Sequence, residues 1–373
     1  MAKMISGIYK NFLLPVGLLA GTIIGAGIFS LPYVFKESGF ALGFFYLALG
    51  AIIFTITHLM YADIILDTDG KHRFPGYAKK YLGQWAFWIS IFIAVIQALI
   101  VLTIYLILSK SFLNILFGNS FETIKILFFW ILSSLGIFLS VRKLATLEFW
   151  ITGGIVGIIV FIFGLGFTEF KTLTLDYFSP QWVNGLLPLG AVLFSLSGRT
   201  AIPALVDYFS SKGNIIDLKR SIEWGTILPA IVYGGFVLGV AALSPIITAD
   251  AVSGLVGVVP YVVMLTIGIL GLLSLFSSYI VIGLDVANTL RYDLKIPSIL
   301  KILIVVGTPM LIYLAGFKNF IQLVSFTGGI FLALESIFIV VMWLKLYPKK
   351  IFVAIIPLTV FLIALIYELI KLV

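Results

Sequence analysis

Two short stretches of this sequence combine glycine, serine and proline inside segments that are otherwise apolar. The first is GTIIGAGIFSLP (21–32), which holds three glycines, and the second is FSLSGRTAIP (194–203). These residue types weaken a helix, and backbone groups without a partner are costly in hydrocarbon. Both stretches therefore predict helices that are interrupted where a cavity and a ligand complete the free backbone groups.

The backbone freed by the first interruption would offer partial charges of both signs. N–H groups near Ala26, Gly27 and Ile28 would begin a new half-helix, and such a terminus suits a carboxylate. Carbonyl oxygens released over residues 21–24 suit a small cation. The second stretch would form the opposite wall with two hydroxyls and one aromatic ring, those of Ser195, Ser197 and Phe194.

A third group of oxygens occurs in SLFSSY, where three serines are spaced i, i+3 and i+4 on one helical face, Ser274, Ser277 and Ser278. Together with carbonyls of residues 21–24 they could coordinate sodium. The alternative is that each hydroxyl bonds a carbonyl one turn back in its own helix, which is common in membrane helices. The sequence leaves both interpretations open.

Two charges fall deep within apolar segments. Arg199 directly follows the second interruption, and Glu335 lies in GGIFLALESIF. Charges inside a membrane need a partner or water and are by default functional. We expect Arg199 to pair with Glu335, or second with Asp285, as coupling or gating charges. The alternative is that both reach toward the cytoplasmic surface as structural charges.

The chain that must position these residues has the composition of an all-α polytopic membrane protein. Of 373 residues, 61% are hydrophobic and 11% are charged, whereas soluble domains carry about 25% charged residues. Eleven segments are long and apolar enough to cross a bilayer: roughly 12–35, 40–66, 85–109, 123–140, 145–167, 184–210, 222–245, 259–286, 297–316, 320–344 and 351–371.

The placement of charge predicts an orientation and excludes several classes of protein. With the N-terminus in the cytoplasm and the C-terminus outside, cytoplasmic segments hold most of the 24 Lys and Arg, as the positive-inside rule requires. The net charge of +8 is therefore a topology signal and predicts no nucleic-acid partner. With no cysteine and two histidines, thiolate chemistry and a histidine metal centre are excluded, and no cofactor is expected.

The two interruptions lie five segments apart and run in opposite directions across the membrane, which indicates an inverted-repeat transporter. Residues 1–373 would form a single transmembrane domain with repeats at about 12–167 and 184–344 and an additional helix at 351–371. Taken alone, Gly21 and Gly25 would also fit an ordinary helix-packing motif. The second interruption favours a pair of discontinuous helices, numbers 1 and 6.

Three segments carry a resemblance to a known family: AGTIIGAGIFSLPYVFKESG, LFSLSGRTAIPALVDYF and SLFSSYIVIGLDVANTLRYDL. They resemble helices 1, 6 and 8 of the amino acid–polyamine–organocation superfamily, especially its amino acid/auxin permease and aromatic amino acid permease branches. The resemblance implies the leucine-transporter fold, secondary transport of amino acids in a cell (inner) membrane, and alternating access around the broken helices.

The resemblance also implies roles for individual residues. Carbonyls of Gly21 and Ile24, opposite the three serines, would bind a cation. The substrate would be lined by parts of helices 1, 3 and 6: Thr22, Gly25, Ala26, Gly27, Val101, Tyr105, Phe194, Ser195 and Ser197. Proton-coupled relatives can place a lysine on helix 5, and its absence here favours Na⁺ as the coupling ion, although Glu335 keeps a proton relay open. No oligomeric state is predicted.

Two alternatives compete with an amino acid transporter. Aspartates at the ends of segments 2 and 8 could hold magnesium for a membrane-embedded prenyl transferase: Asp63, Asp67, Asp69, Asp285 and Asp293. Their spacing is irregular, however, and such an enzyme gives no reason for broken helices. The other alternative is a transporter of a different small organic cation or zwitterion.

Overall fold

The structure, a computed structural model, describes residues 9–70, 72–137, 141–168, 175–210 and 214–372. All regular elements in these ranges are helices. We number them α1 Tyr9–Ile23, α2 Ala26–Ser38, α3 Phe40–Leu66, α4 Phe74–Leu82, α5 Gln84–Phe117, α6 Glu122–Gly136, α7 Val141–Thr168, α8 Leu187–Leu196, α9 Ile202–Ser210, α10 Ile215–Leu243, α11 Tyr261–Tyr292, α12 Ser298–Leu314, α13 Phe320–Leu346 and α14 Ile351–Ile370.

Length and composition identify eight membrane-spanning helices in the described residues, or nine when α1 and α2 count as one bent span. The predicted segments 123–140 and 297–316 correspond to α6, with 15 residues, and α12, with 17. Both are shorter than the roughly 20 residues that a straight crossing requires. The expected number of eleven spans is therefore not reached by these criteria. The last three residues of segment 123–140 lie outside the described residues.

Two predicted segments end before the corresponding helices do in the structure. The third segment, expected at 85–109, continues as helix to Phe117, and the eighth, expected at 259–286, continues to Tyr292. The extension of α5 passes Lys110 and is mainly apolar, whereas that of α11 includes Asn288, Thr289 and Arg291. A further short helix, α4, follows the second segment.

The broken helices pack at the centre of the bundle. α1 lies against α10 and α7, whereas α8 lies between α3 and α13. The contact of α8 with α13 is backbone to backbone: a side-chain carbon on Gly190 would stand 2.6 Å from the Ser325 carbonyl oxygen. At the same contact, α13 adopts π-helical turns over Thr327–Leu332. Because glycine removes the side chain, α8 and α13 form one closely packed unit.

The aspartates required by the alternative enzyme are occupied by protein contacts. Asp63 lies 3.6 Å from Lys219 Nζ and accepts a hydrogen bond from Trp343 Nε1 at 3.1 Å. Asp293 lies 3.7 Å from Arg73. No group of three acidic or histidine side chains suited to a metal occurs in the described part of the chain. These two carboxylates thus join α3 to α10 and α13, and the end of α11 to the residue before α4.

A third aspartate of this group, Asp67, binds a tyrosine and changes its pKa. Asp67 accepts a hydrogen bond from the hydroxyl of Tyr347, in the connection between α13 and α14. This bond to a carboxylate raises the pKa of Tyr347 to about 12, since ionising the phenol would place two negative charges together. Tyr347 is therefore a neutral donor that fixes α3 to the α13–α14 connection.

Candidate functional site at the two helix breaks

The first predicted interruption is present. α1 ends at Ile23, and Ile24 leaves the helical region with φ −72° and ψ 96°. Gly25 is extended, with φ −139° and ψ −154°, and α2 then begins with a 3-10 turn over Ala26–Ser30. The two halves are bent by 50°. The break therefore lies within GTIIGAGIF, where the sequence placed it.

The second predicted interruption is also present. α8 ends at Leu196, and Ser197 is extended with φ −69° and ψ 123°. Gly198 follows with φ −136° and ψ 13°, and a 3-10 turn over Arg199–Ala201 leads into α9. As predicted, the chain loses its helical hydrogen bonding within Ser-Leu-Ser-Gly.

The two breaks touch each other. A side-chain carbon on Gly27 would lie 2.5 Å from Ser195 Oγ and 2.7 Å from Ser195 Cα, so the first turn of α2 rests directly on the end of α8. The buried hydroxyl of Tyr233, on α10, lies 2.8 Å from the Ile23 carbonyl oxygen and 3.0 Å from that of Ser195. One hydroxyl hydrogen serves only one of these acceptors at a time. Tyr233 therefore joins both broken helices to α10.

The second break is fastened by a histidine. The ring of His58, on α3, is buried, and its Nε2 accepts a hydrogen bond from the Gly198 N–H at 3.2 Å. Its Nδ1 lies 3.0 Å from Thr226 Oγ1, and this hydroxyl donates to the Ile222 carbonyl. Nδ1 is therefore the ring nitrogen that carries hydrogen and donates to Thr226. His58 thus binds the break to α3 and α10.

The first break has open space beside it. A side-chain carbon on Gly25 would meet no atom closer than the Ile23 carbonyl oxygen at 4.0 Å. Of the predicted substrate residues at the two breaks, Thr22 is exposed, and Phe194 and Ser197 are half-buried. The Thr22 hydroxyl donates to the Leu18 carbonyl in its own helix. A ligand can therefore approach the main chain at Gly25.

The remaining predicted substrate residues lie deeper. Ala26 is buried in the first turn of α2. Val101 and Tyr105 are buried on α5, and α5 contacts the 3-10 turn of α2. The Ser195 hydroxyl donates to the Ala191 carbonyl one turn back, at 2.7 Å. Helices 1, 3 and 6 of the prediction therefore meet at one place, although the Ser195 hydroxyl hydrogen is used within α8.

The three serines are on α11, which packs mainly against α5, α7 and α6. The Ser277 hydroxyl is buried and donates to the Ser274 carbonyl at 3.1 Å, as the within-helix alternative supposes. On the other side, a side-chain carbon on Gly21 would lie 3.7 Å from Thr152 Cγ2 of α7, and Ile24 is buried. α7 therefore contacts both halves of the predicted cation site, whose function stays a prediction.

Arg199 and Glu335 form the ion pair that the sequence suggested. The Arg199 side chain is 17% exposed and that of Glu335 4%. The guanidinium carbon also lies 4.7 Å from the centre of the Phe74 ring on α4, a cation–π contact. The pair thus connects the start of α9 to α13 and α4, and its role in coupling stays a prediction.

Two residues at the breaks, His58 and Tyr233, were missed as site residues. Each stands in a long apolar helix, distant in sequence from the backbone it binds. The one available signal was their polar character within hydrocarbon, because buried polar groups need partners. That signal predicts that a partner exists and does not identify it.

Comparisons with known proteins agree on the fold. The chain is similar to Mhp1, a nucleobase-cation-symport-1 family transporter in a closed conformation with bromovinylhydantoin bound: TM-score 0.62, 13% identity, 95% of this chain and 91% of that one. It is also similar to the Eremococcus coleocola manganese transporter, with a TM-score of 0.62 and 13% identity over 95% of this chain and 86% of that one. It is similar as well to MhsT in complex with L-phenylalanine, with a TM-score of 0.62 and 16% identity over 95% of this chain and 96% of that one.

At these identities the likeness shows the fold, which is the leucine-transporter fold of Mhp1 and MhsT. Among curated protein sequences, none matches significantly. The family model for transmembrane amino acid transporter protein matches residues 13–241, which is more than half of the chain and includes both breaks. The chain is therefore a transporter and not an enzyme, and it belongs to the transmembrane amino acid transporter protein family.

Proposed function

We propose that this protein carries amino acids across the cell (inner) membrane by ion-coupled secondary active transport. One observation carries the proposal: two broken helices meet at their breaks, with open space beside Gly25, in a member of an amino acid transporter family. Exposed main chain at membrane depth is stable where it lines a ligand site.

The geometry suggests how a zwitterion would be held. The N-terminus of α2, at Ala26 and Gly27, would direct N–H groups and the positive end of its helix dipole toward the open space, where a carboxylate would bind. Carbonyl oxygens at the end of α8, near Ser195 and Ser197, would accept hydrogen bonds from the ammonium group. Thr22, Val101, Tyr105 and Phe194 would surround the amino acid side chain.

For the coupling ion we propose Na⁺, bound by carbonyl oxygens of Gly21 and Ile24 together with the three serines of α11. Binding requires α11 and α1 to approach, so the site would form in one conformation of the transport cycle. Na⁺ would then bind one conformation of the transporter more tightly than the other, and this difference in affinity is what coupling requires. We expect Ser278→Ala to weaken the sodium dependence of uptake, and an unchanged sodium response would remove Na⁺ from this site.

We further propose a topology of eleven spans, with α6 and α12 as short crossings added to the nine. Five-helix inverted repeats would extend over about 12–167 and 184–344, with α14 as the additional span in a single domain. The N-terminus would lie in the cytoplasm and the C-terminus outside. Cysteines introduced at Lys80 and Lys318 would test this, because an impermeant thiol reagent added outside should label only the second.

The Arg199–Glu335 pair would act in the transport cycle as a cytoplasmic gate or coupling pair. Arg199 begins the turn that follows the break in span 6, so a change at the break would alter its distance from Glu335 on α13. Since both side chains are largely buried, separating them while they stay in the interior leaves each charge without its partner and has a substantial free-energy cost. The contact would then be closed in one conformation of the transporter and open in another, as alternating access requires.

A thermal-shift screen of purified protein against the twenty amino acids, with and without sodium, tests the substrate and the ion together. A ligand that binds the folded state raises its melting temperature, so one or a few amino acids should do so, and more strongly with sodium. Uptake of those amino acids into proteoliposomes should then saturate and require an ion gradient. If no amino acid is bound or transported, the proposed substrate class is wrong.

A further inference from the structure

A cavity of about 420 Å³ lies away from the helix breaks, at the end of the bundle where α2 and α14 terminate and α8 and α13 begin. In the predicted orientation this is the outer end. Its polar lining includes Tyr33, Glu37, Asn184, Gln322 and Glu368. The cavity is therefore separate from Gly25 and the fastened backbone at Gly198.

One acidic side chain in this cavity is unusual. Glu368, on α14, is only 4% exposed, and its Oε1 atom is buried with no hydrogen-bond partner among the described residues. Lys371 acts on this carboxylate as a nearby counter-charge, but no donor of the described residues reaches Oε1, and a buried acceptor without a donor is destabilising. Such a group persists where a ligand or a proton completes it.

The packing around Glu368 holds it in this place. A side-chain carbon on Gly329 would stand 2.3 Å from Glu368 Cγ, so the glycine leaves the space that the acid occupies. Gly329 belongs to the π-helical turns of α13 that contact both α8 and α14. The position of the carboxylate is thus determined by close packing of three helices.

The other groups of the cavity indicate the chemistry of its ligand. Glu37 adds a second carboxylate, and Asn184 and Gln322 add amides. Lys371 also lines the cavity, and its ammonium lies 5.6 Å from the centre of the Tyr367 ring. No set of three metal ligands occurs in the described residues, and the volume far exceeds that of a bare ion. These features favour an organic cation with N–H donors.

We propose that this outer cavity binds the primary ammonium group of a small organic amine or amino acid, with Glu368 as the principal acceptor. An ammonium group supplies the donor that Oε1 lacks, and a charge-assisted hydrogen bond is stronger than a neutral one. The carboxylate of an amino acid occupant would face Lys371. The proposal does not depend on which substrate binds at the helix breaks.

The test uses the full chain in lipid nanodiscs and follows its melting temperature. The probe is ethylammonium chloride, compared at equal ionic strength with tetramethylammonium chloride, which has the same charge and no N–H. Ethylammonium should stabilise the wild type in a saturable manner, whereas tetramethylammonium should not. In Glu368→Gln the half-saturating concentration should rise by about tenfold or more.

Two controls locate the bound amine. Glu122→Gln removes an exposed carboxylate at the same end of the bundle, which pairs with Lys110 outside the cavity, and it should respond like the wild type. Gly25→Val blocks the helix break and should keep the ethylammonium response. An unaltered response in Glu368→Gln, an equal effect of tetramethylammonium, or loss of the response in Gly25→Val would overturn the proposal.

A final arm identifies the source of the ammonium group. In the Gly25→Val background, stabilisation by L-alanine that disappears on adding Glu368→Gln would assign the cavity to amino acids. A response to ethylammonium without one to L-alanine would assign it to simple amines. Failure of the amino acid screen at the helix breaks would leave these results unaffected, so the two proposals fail separately.

Discussion

The two helix breaks differ in what completes their free backbone. At the break in span 6, the Gly198 N–H is bonded to His58, and a side-chain carbon on Gly198 would stand 2.6 Å from Ile23 Cγ1. At the break in span 1, a side-chain carbon on Gly25 would meet no atom closer than the Ile23 carbonyl oxygen, at 4.0 Å. The second break is thus filled by protein atoms, whereas the first, although Tyr233 bonds its Ile23 carbonyl, has room for a ligand beside Gly25.

This difference indicates a division of roles. A break whose polar groups are satisfied by buried side chains is part of the stable scaffold, and changing it should lower stability. A break with room beside it contributes less to stability, and changing it should affect binding first. Tyr233 touches carbonyl oxygens of both broken helices, so it connects the scaffold to the binding region.

The largest loss of stability is expected at the ion pair beside the second break. Arg199→Ala should destabilise the protein by about 3–5 kcal/mol, because Glu335 is then buried without a partner. Adding Glu335→Gln should recover a large part of this loss in unfolding measurements. Lys110→Ala, which breaks an exposed pair with Glu122, is the control and should cost little. Additive losses for Arg199→Ala and Glu335→Gln would show that the two charges are independent.

Two glycines of the first break should respond in opposite ways. Gly27→Ala should destabilise by about 1–3 kcal/mol, since the added carbon overlaps Ser195 and forces α2 and α8 apart. Gly25→Ala should leave the melting temperature nearly unchanged while weakening amino acid binding, because its added carbon enters the open space. Thermal unfolding and ligand titration of both variants provide the measurement. Equal destabilisation by both would contradict an open space at Gly25.

Removing the hydroxyl that connects the breaks should have a smaller effect. Tyr233→Phe removes the one hydroxyl hydrogen that the buried carbonyl oxygens of Ile23 and Ser195 share, and a loss of about 1–2 kcal/mol is expected. The affinity for amino acid should fall as well, since Ile23 and Ser195 lose a common anchor. Tyr261→Phe, at an exposed tyrosine on α11, is the matched control. A Tyr233→Phe variant with unchanged stability and affinity would show that the bridge is dispensable.

The smallest effect is expected when a substituted side chain preserves the acceptor at the second break. His58→Gln places a carbonyl oxygen near the position of Nε2 and should lower stability by about 1 kcal/mol or less. His58→Phe removes the acceptor from the Gly198 N–H and should cost clearly more. Chemical denaturation of the pair gives the comparison, and identical losses would mean that His58 acts by packing alone.

Much of this architecture was predictable because it depends on local residue types. Runs of apolar residues identify membrane helices, and glycine, serine and proline inside such runs located both breaks to within a few residues. The rarity of charge in hydrocarbon singled out Arg199 and Glu335 as partners. The lengths of α5 and α11 were less predictable, because a helix can continue past a polar residue when a neighbouring helix or the interface satisfies it.

The amino acid sequence by itself determined that the chain is an all-helical membrane protein with two interrupted helices, since hydrocarbon penalises unpaired backbone wherever it occurs. Only the tertiary structure decided which break is closed and which is open. That depends on side chains such as His58 and Tyr233 meeting backbone that is far away in sequence. Each of these residues shows its polarity in the sequence, and its partner becomes defined when the helices pack.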